Sequence, residues 1–172
     1  MKEPLSFSTF ESRERLFPEL REHAKRLAEG SSPIAARHRD AAETLARWMA
    51  EHYRPGSPLH VVVVCTGNSR RSILGSSMGN LAAAFYGMPE VRFHSGGTEP
   101  SAFNPRTVSA LRVAGFVVEA TGDEKSPDNP VYRVAWGEGA ETLEFSKLYS
   151  DAANPQEGFA ALMVCNEADA GC

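Results

Sequence analysis

Six residues, His60–Cys65 (HVVVVC), constrain this chain more than any others. Alternating apolar and polar residues would mark a strand with one wet face. A short continuous β-branched run instead marks a strand covered on both faces, as in a parallel sheet between layers. Parallel strands need long crossover connections, and the sequence around the run supplies them. Leu74–Tyr86 has helical length and spacing, and Val91–His94 is a second short strand. Asn104-Pro105 caps and opens a helix through Ala114, which Gly115 closes. Residues 121–130 (TGDEKSPDNP) read as a loop. Val131–Trp136 and Glu141–Phe145 flank Gly137-Glu138-Gly139-Ala140 in the manner of a hairpin. Phe159–Cys165 (FAALMVC) is a further apolar strand. Strand, helix, strand, helix, strand predicts an α/β domain with a mainly parallel sheet.

Residues 1–57 read as helical instead. Phe17-Pro18 opens one helix, with Leu20, Ala24 and Leu27 on a stripe and Gly30 at its end. Ser32-Pro33 starts a second, whose stripe runs through Ile34, His38, Ala41, Leu45 and Trp48. His38 on that stripe reads as a packed or half-exposed side chain rather than a ligand. Two amphipathic helices cannot bury their stripes alone, so they are expected to pack on the α/β region C-terminal to them. The breaker Arg54-Pro55-Gly56-Ser57-Pro58 marks the boundary. The expected organisation is a helical extension over 1–57 and an α/β domain over 58–172.

Composition narrows the function. At 172 residues and 42% apolar, the chain can build a core without a disulfide framework. Three cysteines do not suggest such a framework either. No apolar run is long enough to cross a bilayer, and no basic-then-apolar signal opens the chain. The expected compartment is the cytoplasm, where thiols stay reduced. A net charge of −4 argues against a nucleic-acid partner. The charge is unevenly spread: net +1 over residues 1–57, +3 over 58–118 and −8 over 119–172. The middle third alone suits an anion.

That third holds Cys65-Thr66-Gly67-Asn68-Ser69-Arg70-Arg71-Ser72. A cysteine ends the buried strand, and six residues later an arginine opens the helix. Ligands of open α/β sheets bind at the carboxyl ends of strands. The amides of a tight glycine-containing loop, aimed at a helix N-terminus, form an anion cradle. A guanidinium such as that of Arg71 grips two oxygens of a tetrahedral anion. The same positive surroundings favour a thiolate, the attacking form of cysteine. Cys65 is therefore expected to alkylate faster than Cys165 or Cys172 in mildly acidic solution. Gly75-Ser76-Ser77-Met78-Gly79 mimics the Gly-x-Ser-x-Gly elbow of serine hydrolases, but that elbow follows a strand directly. Here small residues packing a helix on a sheet explain it better. No cofactor is implied, and no Cys-x2-Cys or His pair marks a metal site.

VVVCTGNSRRS resembles the phosphate-binding loop of the low-molecular-weight protein tyrosine phosphatases and of the related thioredoxin-coupled arsenate reductases. Ser95-Gly96-Gly97-Thr98-Glu99-Pro100 and Asn104-Pro105-Arg106 look like those families' next strand, loop and helix. The resemblance covers about residues 58–118 and 159–172. It implies a three-layer phosphatase-like parallel sheet, with Cys65 as nucleophile and Arg71 as anion ligand. Ser72 would hydrogen-bond the thiolate, and Asn68 would stabilise the loop. Thr66, Gly67, Ser69 and Arg70 complete the implied anion site. The later pair Cys165-x6-Cys172 resembles the redox pair of the arsenate reductases, which implies a Cys65–Cys165–Cys172 relay reopened by a thioredoxin-like reductant. The alternative to that relay is two incidental cysteines.

The pattern departs from both families in several respects. Their general-acid aspartate, in an Asp-Pro pair after a further strand, has no counterpart before Cys172, nor, by resemblance, do the last core strand and helix; the expectation is either a fragment or a degenerate member with slow leaving-group chemistry. Asp128 and Asp169 stand elsewhere. Arg70 replaces a second loop cysteine found in many relatives. The expectation is a cysteine-dependent oxyanion enzyme acting on arsenate or, alternatively, on phosphate monoesters. A non-catalytic oxyanion- or phosphopeptide-binding module is the third reading. The partners implied are a tetrahedral oxyanion or phosphorylated substrate, with no nucleic acid and no membrane.

Overall fold

The computed structural model describes residues 9–30, 36–126 and 128–170. Three helices come first: α1 (Thr9–Glu14), α2 (Pro18–Glu29) and α3 (Ala36–His52). Next come β1 (Leu59–Cys65), α4 (Arg71–Phe85), β2 (Val91–Gly97) and α5 (Pro105–Ala114). The chain continues with β3 (Val117–Glu124), β4 (Pro130–Gly137), β5 (Ala140–Glu144), β6 (Phe159–Met163) and α6 (Asn166–Ala170). Ser32, Pro33 and Ile34 of the expected second helix, and Cys172 of the expected relay, lie outside the described residues.

The architecture is α/β. Strand β1 is the middle of a parallel sheet ordered β2-β1-β6, and Val61, Val62, Val63 and Val64 are all fully buried. Val61 and Val63 face one cluster with Ala83 of α4, Phe93 of β2, and Leu45, Trp48 and Met49 of α3. Val62 and Val64 face Ala168 of α6 with Tyr149 and Met163. The four-valine run is thus covered on both sides, as its lack of alternation requires.

A second sheet, β3-β4-β5, is antiparallel throughout. The β4–β5 hairpin was expected. Strand β3 was not, and it corrects the loop reading of residues 121–130: the strand runs to Glu124. After Val118 its side chains are exposed. It is held by main-chain pairing with β4, with a register shift between Ala120 and Glu124, so no apolar pattern marks it. Val118, Val134 and Trp136 join Ile73, Leu81 and Phe85 of α4, Leu111 of α5, and Leu20 and Ala24 of α2 in one core. The first helices therefore share the core of the later residues. Leu27, placed on the same stripe by the sequence, is exposed.

Helix α4 lies close on the sheet because two of its residues lack a side chain. A Cβ at Gly75 would stand 2.9 Å from Val63 Cγ1, and one at Gly79 would stand 2.4 Å from the Phe93 ring. The Gly-x-Ser-x-Gly run is a packing stripe, with Ser77 buried at mid-helix. Helix α5 is punctuated as its sequence predicts. Asn104 Oδ1 accepts from Arg106 N at 2.9 Å, and Gly115 ends the helix in a left-handed conformation with φ of 107°. A cap of this kind contributes about 1 kcal/mol.

On the α6 side of the parallel sheet, His60 Nδ1 lies 3.0 Å from His94 Nε2. Burial first, and then the charges of His60, Lys147 and Arg92, push the His94 imidazole down from 6.5 to about 4. The folded state thus resists a proton that the unfolded chain accepts. The contribution is complete above the unfolded value and is lost as pH falls from 6.5 to about 4. Urea unfolding across that window should show stability falling on acidification, and His94→Gln should flatten the fall. An unchanged slope in that variant would show that the imidazole titrates normally.

Candidate functional site

The loop after β1 turns on Asn68, the one described non-glycine residue with positive φ, at 38°. Its side chain is fully buried. Asn68 Nδ2 donates to Ser72 Oγ at 2.8 Å, and Asn68 Oδ1 accepts from the main-chain N–H of Lys147 at 2.8 Å. Ser72 Oγ in turn lies 3.1 Å from Cys65 Sγ. Asparagine tolerates the left-handed region better than most residues, and here both ends of its amide are used.

The loop carbonyls are directed into the protein. Cys65 O accepts from Thr98 N, Thr66 O from Glu99 N, Gly67 O from Ser101 N, and Ser69 O from Asn104 N. Gly67 O also accepts from Ser146 Oγ at 3.0 Å, and Ser69 O from Thr107 Oγ1 at 3.1 Å. The amides of Gly67, Asn68, Ser69 and Arg70 donate to no protein acceptor among the described residues. A turn whose carbonyls point in and whose amides are left over is the arrangement that collects an anion. Helix α4 begins at Arg71 and adds its N-terminal dipole. Arg70 and Arg71 are exposed, and neither side chain has a hydrogen bond or ion pair among the described residues.

The structure therefore brings Cys65, Thr66, Gly67, Asn68, Ser69, Arg70, Arg71 and Ser72 into one loop. Asn68 has only its main-chain N–H to offer an anion, because its side chain is spent on the loop itself. Thr66 is also committed elsewhere. Its hydroxyl lies 3.4 Å from Cys165 Sγ, just after β6. Cys165 thus sits at the edge of the loop that begins with Cys65, although 99 residues separate Thr66 from it. Both cysteines are free thiols. Burial opposes ionisation of Cys165. The Thr66 hydroxyl, the main-chain N–H groups of Ala168 and Thr66, and the charge of Arg71 outweigh it and hold the thiol below its usual value.

Three residues of the site carry no sequence signal. Ser146, Lys147 and Tyr149 come after β5 and lie along the outer edge of β2, where Leu148 bridges Gly97 in parallel fashion. Gly97 N donates to Lys147 O at 2.9 Å, and Tyr149 N donates to Gly97 O at 3.0 Å. Lys147 and Tyr149 act mainly through the main chain, which no residue pattern reports. Glycine at 96 and 97 was the available clue. A Cβ at Gly96 would meet Tyr149 Cα at 2.4 Å, and one at Gly97 would meet Thr66 O at 2.6 Å and Asn68 N at 2.8 Å.

No family model matches the chain, and no curated protein matches it. Among solved structures, a thioredoxin-dependent arsenate reductase of Corynebacterium glutamicum is similar at a TM-score of 0.39 and 19% identity, over 87% of this chain and 72% of that one. A likeness so distant bears no weight, and the chemistry has to come from the loop itself. No described helix is long and apolar enough to cross a membrane.

The geometry predicts two outcomes. Cys65 is 2% exposed, whereas Cys165 is half-buried with a favoured thiolate. Iodoacetamide should therefore modify Cys165 faster than Cys65 in mildly acidic solution, the reverse of the order expected from sequence. Mass spectrometry of timed digests reads the order directly, and faster labelling of Cys65 would contradict it. Gly97→Ala should displace the loop and cost about 1–3 kcal/mol, as overpacking does. A midpoint in urea equal to that of the unsubstituted chain would show that the loop yields freely.

Proposed function

We propose that the Cys65–Ser72 loop is an oxyanion cradle and that the chain is a cysteine-dependent oxyanion enzyme. The observation that carries this reading is the sorting of the loop's main chain: carbonyls bound inward, amides unspent, and a thiol held by Ser72 at the floor. Unspent amides and a helix N-terminus attract a tetrahedral anion. Arg71, free at the rim, closes on two of its oxygens. Cys65 then faces the central atom as nucleophile.

Arsenate reduction is the favoured activity because Cys165 meets the loop at Thr66 and its thiolate is stabilised there. The Cys65 thiolate attacks arsenic(V), forming an S–As bond and expelling one oxygen as water after protonation. The Cys165 thiolate attacks Cys65 Sγ. An S–S bond forms, the S–As pair returns to arsenic, and arsenic leaves as arsenite in the +3 state. Cys172, outside the described residues, would attack Cys165, release the Cys65 thiolate and leave a Cys165–Cys172 disulfide. A thioredoxin-like dithiol would reduce that disulfide and be oxidised in turn. No residue is assigned to the general-acid role.

Arsenate supplied with a thioredoxin-type reductant should be turned over, and inorganic phosphate should compete. Arg71→Ala should weaken phosphate binding about 10- to 100-fold by calorimetry, the weight of a hydrogen bond to a charged group. Cys65→Ser should abolish turnover. Cys165→Ser should abolish arsenate turnover while phosphate still binds. Turnover of p-nitrophenyl phosphate but not arsenate would transfer the assignment to phosphate-monoester hydrolysis. Phosphate binding with neither turnover would leave a binding module. No phosphate binding, or unchanged affinity in Arg71→Ala, would sink the cradle.

A further inference from the structure

We propose that the segment Glu144–Tyr149 is a positioning element for Cys65, anchored by a buried ion pair and acting through a directed chain of hydrogen bonds. This inference rests on the oxyanion-enzyme reading and assigns a role in it to residues that touch neither thiol.

The chain of bonds has a fixed direction. The N–H of Lys147 can only donate, so the Asn68 atom it meets must be the carbonyl oxygen. That settles the orientation of the Asn68 amide and turns its NH2 toward Ser72. Ser72 Oγ is then an acceptor from Asn68, and its own proton is left for Cys65 Sγ, 3.1 Å away. One main-chain N–H, two side chains removed, thus leaves the Ser72 hydroxyl proton available to the sulfur. A donated hydrogen bond favours the thiolate over the thiol.

The Lys147 main chain is held in place from several sides. Glu144 and Lys147 form an ion pair at 3.5 Å with both side chains 3% exposed. Glu144 Oε2 also accepts from Ser95 Oγ of β2 at 2.8 Å. The Lys147 ammonium lies 4.8 Å from the centre of the Phe145 ring. Ser146 accepts from Ser101 N and donates to Gly67 O, both at 3.0 Å. Asn129 brackets Ser146 through two bonds to its main chain. Buried charges are tolerated only when paired and hydrogen-bonded, and this pair sits where the segment crosses from the antiparallel sheet to the loop. The buried pair fixes the height of Lys147 against Asn68.

The test uses the two cysteines of one molecule against each other. The ratio of the Cys65 to the Cys165 alkylation rate is measured in the full chain for Ser146→Ala, Glu144→Gln, Ser146→Thr and Val134→Ala. Val134 is a core residue of β4 away from the loop and serves as the destabilised control. Ser146→Ala and Glu144→Gln should each lower the ratio about three- to tenfold, the weight of one hydrogen bond. Ser146→Thr retains the hydroxyl and should restore it. Val134→Ala should lower stability in urea and leave the ratio alone. An unchanged ratio in both Ser146→Ala and Glu144→Gln overturns the proposal, and so does an equal fall in Val134→Ala. If either of the first two variants does not fold, the other decides. The ratio is read without any anion, so it stands apart from the cradle: phosphate binding with a fixed ratio refutes the positioning role alone.

Discussion

The carbonyls of Cys65, Thr66, Gly67 and Ser69 all need partners inside the protein, and the rest of the structure is arranged around supplying them. A peptide carbonyl left buried and unpaired is costly, so a turn with four of them turned inward cannot stand alone. The stretch from Thr98 to Asn104 provides one main-chain N–H for each. It can lie that close only because β2 ends in two glycines, with no side chain to hold the loop away. The order of the parallel sheet reflects the same need. Strand β2 must be the immediate neighbour of β1, in register through Cys65 and Gly97, for its continuation to run beneath the loop.

Much of this is legible in the residues, and the reasons are local. The valine run reports burial on both faces because no polar side chain interrupts it. Pro18, Asn104 and Gly115 report helix ends because each satisfies or forgoes a particular main-chain group at that position. The Cys-x5-Arg-Ser spacing reports a loop because the strand must end and the helix begin within it. In each case the side chain and the backbone carry the same message.

Where they part company, the sequence is silent. The outer half of β3, with its exposed Thr121, Asp123 and Glu124, is a strand because β4 is beside it. Its side chains would suit a loop equally well. The segment after β5 is harder still, since it joins the site largely through the N–H and C=O groups of Lys147 and Tyr149, which every non-proline residue possesses. The relative depth of the two thiols also escapes sequence reasoning. Position at a helix start argues for Cys65, but depth is a property of packing, and only the folded chain places Cys65 under the loop and Cys165 at its edge.

Thr66 gives the loop an internal competitor. Its hydroxyl is engaged while the sulfur of Cys165 is in residence, 3.4 Å away. Withdrawal of Cys165 into another bond frees that hydroxyl. Under the proposed cradle reading, an oxyanion and the Cys165 sulfur would compete for the Thr66 hydroxyl. Cys165, just after a strand on the far side of the sheet from β2, thereby reaches the same loop that the stretch after β2 supports from beneath.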